Sequence, residues 1–244
     1  DQLINRRQEA AVYHAIADKN ICDDIAYINP DNGYKITEFL EGARVCDPTD
    51  YEDVKKCMSR LRDFHALKLK VTHEFDIFGQ MEFYETLWDG TPSVYKDYEK
   101  TKANVWSWKP YIDAHTGEKI LTHIDAVPDN FLFVQRNGKE EIRLIDWEYA
   151  GMCDPLIDIA MCSIYSYYSQ EELDHLLEEY LQHAPSDEER FVTYAYAALG
   201  GFLWALWAVF KSMEGREFGD YTIVMYRYAK NYYRKIVSEG LLKL

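Results

Sequence analysis

A chain of 244 residues, 48% of them hydrophobic, can bury a sizeable core as one large domain or two small ones. Its formal net charge of −15, from 42 acidic against 27 basic residues, argues against non-specific nucleic-acid binding and is compatible with a cationic small substrate steered by the field. The five cysteines, at 22, 46, 57, 153 and 162, form no CxxC pair and no zinc spacing with a histidine, so reduced thiols in a cytoplasmic protein are expected. The opening Asp1-Gln-Leu-Ile-Asn-Arg-Arg has no apolar run after its basic pair and does not read as a signal peptide.

In chain order, Leu3 to Lys19 reads as a helix, and Ile25–Ile28 as a strand. Asn29-Pro30-Asp31-Asn32-Gly33 is a dense turn signal, and Tyr34–Phe39 is the return strand. Glu41-Gly42-Ala43 is a linker, which sets domains at 1–41 and 42–244. From Pro48 the pattern is helical: a helix capped by Asp47 or Thr49 runs to about Leu67, with Val54, Met58, Leu61 and Phe64 on one face. Asp76 to Leu87 is a second helix, and Tyr95–Trp108, stopped by Pro110, a third. Later helices are expected over Leu156–Tyr168, Gln170–Gln182, Ser186–Met213 and Phe218–Glu239. Ser169-Gln-Glu-Glu and Ser186-Asp-Glu-Glu are capping-type starts. Phe191–Phe210 is uncharged for about the length of a membrane span. Its tyrosines, the Gly200-Gly201 pair and the flanking Glu188, Glu189 and Arg190 favour a buried central helix without membrane insertion.

Between these helical regions lies Leu121–Glu148. Two apolar runs, Phe131–Val134 and Ile142–Ile145, flank Arg136-Asn137-Gly138-Lys139, a strong hairpin signal. The hairpin places Asp125 and Asn130 at one mouth and returns Asp146 beside them. An acid, an amide oxygen and a second acid on one rim suit phosphoryl transfer. One carboxylate takes a hydroxyl proton, while the amide and the other carboxylate hold Mg²⁺ through hard oxygens.

His123-x-Asp125-x-x-x-x-Asn130 followed by Ile145-Asp146 has the spacing of the catalytic and metal loops of eukaryotic-like kinases. With Trp147-Glu148-Tyr149-Ala, Asp154-Pro-Leu-Ile-Asp158, the opening Ile4-Asn5-Arg6-Arg7-x-Glu9 and Gly33-Tyr-Lys-Ile36-Thr37-Glu38, the chain resembles the choline/ethanolamine kinases of the aminoglycoside-phosphotransferase-like superfamily over essentially its whole length. The resemblance implies an α+β, protein-kinase-like fold: an incomplete, small β-containing N-lobe and a large, mainly helical C-lobe carrying the catalytic hairpin. It implies ATP- and Mg²⁺-dependent phosphorylation of a small cationic amino alcohol, choline first. Ethanolamine or aminoglycoside kinases of the same superfamily, or a non-catalytic ligand-binding module, are the alternatives.

The same resemblance makes Asp125 the base, and Asn130 and Asp146 the Mg²⁺ ligands. His123 and Asp158 brace the loop. Glu38, Phe39 and Leu40 form the hinge facing adenine, and Glu9 is the helix carboxylate that pairs with a phosphate-binding lysine. Phe202-Leu-Trp204-Ala-Leu-Trp207 and Glu217-Phe218-Gly219-Asp220-Tyr221 look like choline-pocket segments, joined by Glu148, Tyr149 and Tyr165. The physics of that pocket is independent of the resemblance: a quaternary ammonium donates no hydrogen bond and is held by aromatic faces, and Trp204 and Trp207 at i, i+3 share a helix face. Two departures stand out. No Gly-rich strand–turn–strand and no strand lysine precede Glu9, so the expectation is of a kinase lacking the front of its N-lobe, with Lys35 set aside because its strand leads straight into the hinge. Met161-Cys162-Ser163-Ile164, after Asp158, also lacks the acid that some family members turn toward the choline cation.

Overall fold

The computed structural model describes residues 3–241; Asp1 and Gln2, which begin the segment read above for a signal peptide, and residues 242–244 lie outside it. Helix α1 (Arg6–Ile16) is capped by the Asn5 side chain, which accepts from the backbone N–H of Arg7 and Gln8. Strands β1 (Ile25–Asn29) and β2 (Tyr34–Thr37) form an antiparallel pair around the expected turn. Then come β3 (Arg44–Val45), α2 (Tyr51–Ala66), α3 (Ile77–Thr86), α4 (Tyr98–Trp106) and α5 (Lys109–His115). Next are β4 (Ile120–Thr122), β5 (Phe131–Arg136), β6 (Lys139–Leu144) and β7 (Gly151–Cys153), followed by α6 (Leu156–Tyr165), α7 (Gln170–Leu181), α8 (Asp187–Met213) and α9 (Tyr221–Glu239).

Two compact units divide these elements. One comprises Asp1–Phe75 with Glu118–Ala184, the other Asp76–Gly117 with Pro185–Leu244. The first holds the strands of the described residues: β1–β2, a sheet ordered β3–β5–β6, and the pair β4–β7. The β5–β6 hairpin pairs Phe131 with Leu144 and Arg136 with Lys139. Asn137 and Gly138 both take positive φ, 53° and 73°, as a tight turn between right-twisted strands requires. Phe131, Phe133 and Leu144 are buried along it. In the second unit α8 is central, against α3, α4, α5 and α9. It is long and apolar enough to cross a membrane, and nearly all of that stretch is buried within the fold. Gly201 lets α9 approach closely: a Cβ there would lie 2.6 Å from the Met225 carbonyl oxygen.

Several boundaries differ from those expected, each for a local reason. Asp50, not Asp47 or Thr49, caps α2 by accepting from Glu52 N–H. Asp47 instead accepts from the backbone and hydroxyl of Thr49 in a local turn. The helix expected over Tyr95–Trp108 is shorter, and Pro110 lies in the first turn of a new helix, where its missing N–H costs nothing. Helix α6 stops at Tyr165, and α9 starts only at Tyr221 after Asp220. Both expected capping boxes are formed, Ser169–Glu172 and Ser186–Glu189. All five cysteines are buried free thiols.

Candidate active site

In the first unit, two backbone distortions bracket the polar residues. Ile124 has φ 70° and Asp146 φ 66°; for a β-branched, fully buried residue such as Ile124 the left-handed region is costly. Asp158, completely buried in the first turn of α6, stabilises it: its Oδ1 accepts from Ile124 N–H at 2.7 Å and its Oδ2 from His123 N–H at 2.9 Å. His65 Nε2 donates to the same Oδ2 at 3.0 Å, and its Nδ1 accepts from the Tyr180 hydroxyl at 2.8 Å. His123 in turn donates from Nε2 to the carbonyl of Ile145 at 2.9 Å. Burial holds His123 below the usual histidine pKa. His123, His65 and Asp158 thus hold the loop by hydrogen bonds.

The hairpin closes on the same loop through Ile145 N–H, which donates to the Asn130 carbonyl at 2.9 Å. Asn130, just before β5, donates its amide to the Asp125 carbonyl at 2.8 Å and to Asp125 Oδ2 at 3.2 Å. That leaves Asn130 Oδ1 and the Asp146 carboxylate without a hydrogen-bond partner among the described residues. Both are hard oxygen donors. Among the described residues no cluster of three or more His, Cys, Asp and Glu is placed to hold a metal. An amide oxygen and one carboxylate still fit Mg²⁺, which keeps several waters and takes substrate phosphates as further ligands. Burial first, and then the charge of Asp146, pushes the Asp125 carboxyl up to about 7. A carboxylate so placed is half-protonated near neutral pH, where a general base is most effective.

A second cluster joins this one through Glu148. Burial and the neighbouring Asp146 raise its pKa, and Arg6 Nη1 lies 3.4 Å from its Oε2. The same Arg6 nitrogen donates to the buried Glu9 at 2.8 Å, and Lys35 Nζ reaches Glu9 at 3.0 Å and the Tyr13 hydroxyl at 2.7 Å. Glu9 therefore meets Arg6 and Lys35. Lys35, set aside from sequence, points to α1 because alternation along β2 turns it and Thr37 inward. Arg6 was legible as an i, i+3 partner of Glu9 on a helix. At the expected hinge, Glu38 pairs with Arg136, Phe39 is 87% exposed and Leu40 is buried. The Tyr165 hydroxyl stands 3.5 Å from Asp129 Oδ2, and Tyr149 is partly buried beside Glu148.

The second unit brings together the four aromatic residues named from sequence. Trp204 and Trp207 meet edge to face at a 6.2 Å centroid distance; Trp207 contacts Phe218 at 5.1 Å, and Phe218 contacts Tyr221 at 6.1 Å. The Trp207 indole N–H is buried with no hydrogen-bond partner among the described residues.

A strained loop bearing a half-buried acid, an amide and a second acid lies at the base of a β-hairpin, an arrangement compatible with a phosphotransferase centre. Residues 3–192 match the family model of the APH phosphotransferase enzymes, and the chain belongs to that family: it is a kinase-like enzyme. It is 27% identical to the protein LicA of Haemophilus influenzae over 234 residues, 91% of this chain and 85% of that protein. The crystal structure of choline kinase LicA from Streptococcus pneumoniae superposes with a TM-score of 0.82 at 28% identity, covering 96% of this chain and 82% of that one. A structure of LicA in complex with AMP gives a TM-score of 0.82 at 27% identity, over 96% and 80% of the two chains. The kinase-like α+β fold and the resemblance to the choline/ethanolamine kinases are thereby borne out.

Proposed function

We propose that the protein transfers the terminal phosphoryl group of ATP, with Mg²⁺, to the hydroxyl of a small cationic amino alcohol, choline in preference to ethanolamine. The observation that carries this reading is the Asp125 carboxyl, pushed up to about 7 and hydrogen-bonded by Asn130. Asp125 accepts the proton of the acceptor hydroxyl as its oxygen attacks phosphorus. Asn130 and Asp146 hold the metal, which when bound neutralises phosphate charge. The backbone of Glu38, Phe39 and Leu40 faces the nucleotide base; a structure of the relative LicA in complex with AMP supports nucleotide binding in general.

For the acceptor, Trp204, Trp207, Phe218 and Tyr221 supply aromatic faces. Each is worth about 0.5–2 kcal/mol to a desolvated quaternary ammonium. Within the first unit, Glu148, Tyr149 and Tyr165 offer a charge and two rings for contact with substrate, and Glu9 positions a phosphate-contacting cation. A polycationic aminoglycoside would call for carboxylates where this chain groups four rings. Buried thiols and a buried α8 support a cytoplasmic enzyme that does not insert into a membrane. The net charge of −15 argues against a nucleic-acid partner.

The test offers choline, ethanolamine and kanamycin separately with MgATP and quantifies each phosphorylated product. Choline is expected to give the highest kcat/KM, with the choline KM raised about tenfold in Trp207→Ala, as loss of one such ring predicts. Phosphorylation of kanamycin alone would overturn the assignment.

A further inference from the structure

In the second unit, a cavity of about 460 Å³ opens between residues 94–97 and α9. Its lining runs against the charge of the chain. Acids outnumber bases 42 to 27 overall, yet here Lys96, Arg227, Lys230 and Arg234 face a single acid, Asp97. That acid is already engaged: Lys230 pairs with it, and the Tyr226 hydroxyl donates to it at 3.0 Å. Lys96, Arg227 and Arg234 are exposed and have no hydrogen bond or ion pair among the described residues. Arg227, Lys230 and Arg234 stand at i, i+3 and i+7, so one helix face aligns them over about 10 Å.

The base of the groove is rigid. Tyr95 and Tyr226 stack with centroids 3.7 Å apart and planes 1° from parallel. The Tyr95 hydroxyl donates to the Thr222 carbonyl at 2.9 Å, tying the segment to the start of α9. Three unneutralised cations held on such a base repel one another, and an anion between them removes that repulsion. Two guanidinium groups offer paired N–H donors matched to phosphate oxygens. At one edge Val94 and Ile223 are exposed, 71% and 40%, so an apolar extension of the ligand is accommodated next to its anionic part. The volume lies in the range of small-ligand sites.

We propose that this groove, none of whose lining residues belongs to the proposed phosphotransferase centre, binds a phosphate-bearing anion. A free polyphosphate and the headgroup of an anionic phospholipid share that chemistry. In the experiment, inorganic tripolyphosphate is titrated calorimetrically into the protein in EDTA. In parallel, the protein is sedimented with vesicles of phosphatidylglycerol and phosphatidylcholine, or of phosphatidylcholine alone. The variant is Arg227→Ala/Arg234→Ala, two exposed side chains whose loss leaves no buried group unpaired. The control is Lys19→Ala/Lys139→Ala, which removes equal charge from exposed positions of the other unit.

Tripolyphosphate binding that weakens at least tenfold in the arginine pair, and less than twofold in the lysine pair, assigns the groove to a free phosphorylated ligand. Sedimentation only with phosphatidylglycerol, lost in the arginine pair, assigns it to a lipid headgroup. Binding of neither probe, or binding unchanged by the arginine pair, overturns the proposal.

Discussion

Replacing Asp158 by Asn tests the loop brace. Asp158 accepts three hydrogen bonds through two oxygens, from Ile124 N–H, His123 N–H and His65 Nε2, with no exposed surface. Asn preserves the shape but has one acceptor oxygen. With that oxygen facing His123 and His65, its NH₂ group points at Ile124 N–H. One charge-assisted bond is lost, about 1.5–3 kcal/mol, and a buried donor is left unpaired, about 1–3 kcal/mol more. The sum is roughly 3–5 kcal/mol, a shift in Tm of about 10 °C for a chain of this size. The left-handed Ile124 backbone loses its restraint, and the adjacent Asp125 moves with it, so a fall in kcat of about 10²-fold is expected. Thermal unfolding by circular dichroism and steady-state kinetics measure both. A variant melting within 2 °C of wild type, with unchanged kcat, would refute the brace.

The Asp125 shift predicts a stability effect of unusual sign. Its folded pKa, about 7, lies above the ordinary carboxylate value of 3.8, so the folded state holds the proton more tightly and its burial destabilises the fold increasingly from about pH 4 to pH 7, with the full cost reached above 7. In EDTA, Asp125→Asn should melt higher than wild type at pH 8, by up to about 4 kcal/mol in stability, and equally at pH 4; equal melting at both would contradict the shift. Arg6→Gln and Glu148→Gln should couple by about 0.5–1 kcal/mol in a double-mutant cycle of thermal stability, because both groups are partly exposed at 3.4 Å; strict additivity would deny the contact. Gly201→Ala should destabilise by about 1–3 kcal/mol in urea unfolding, since its Cβ meets the Met225 carbonyl at 2.6 Å and Tyr228 Cβ at 2.8 Å; wild-type stability would show that α9 gives way.

The β5–β6 hairpin was legible because Asn137-Gly138 sits between apolar runs, a local signal with a local cause. The long helices were legible from periodicity and capping boxes. Strands β3, β4 and β7, of two or three residues, were not: Arg44–Val45 exists only because β5 offers an edge, and Gly151–Cys153 only because β4 pairs with it. No alternation can show in so short a run. Pro110 read as a stop because sequence alone does not separate the end of one helix from the first turn of the next. Asp125, Asn130 and Asp146 were singled out by spacing, and the structure brings them to one hairpin base. Lys35 was missed because its meeting with Glu9 joins residues 26 apart across a strand and a helix, a contact set by which face of β2 turns inward.

The central claim is that Asp125 performs proton abstraction in a phosphoryl transfer to choline. Formation of phosphocholine from choline and MgATP, followed by ³¹P NMR for wild type and Asp125→Asn at equal folded concentration, tests it most directly. The account predicts turnover by wild type and a rate lower by about 10²–10⁴-fold in the variant, with the variant still folded; phosphocholine formed by Asp125→Asn at the wild-type rate, or none formed by wild type, would contradict it.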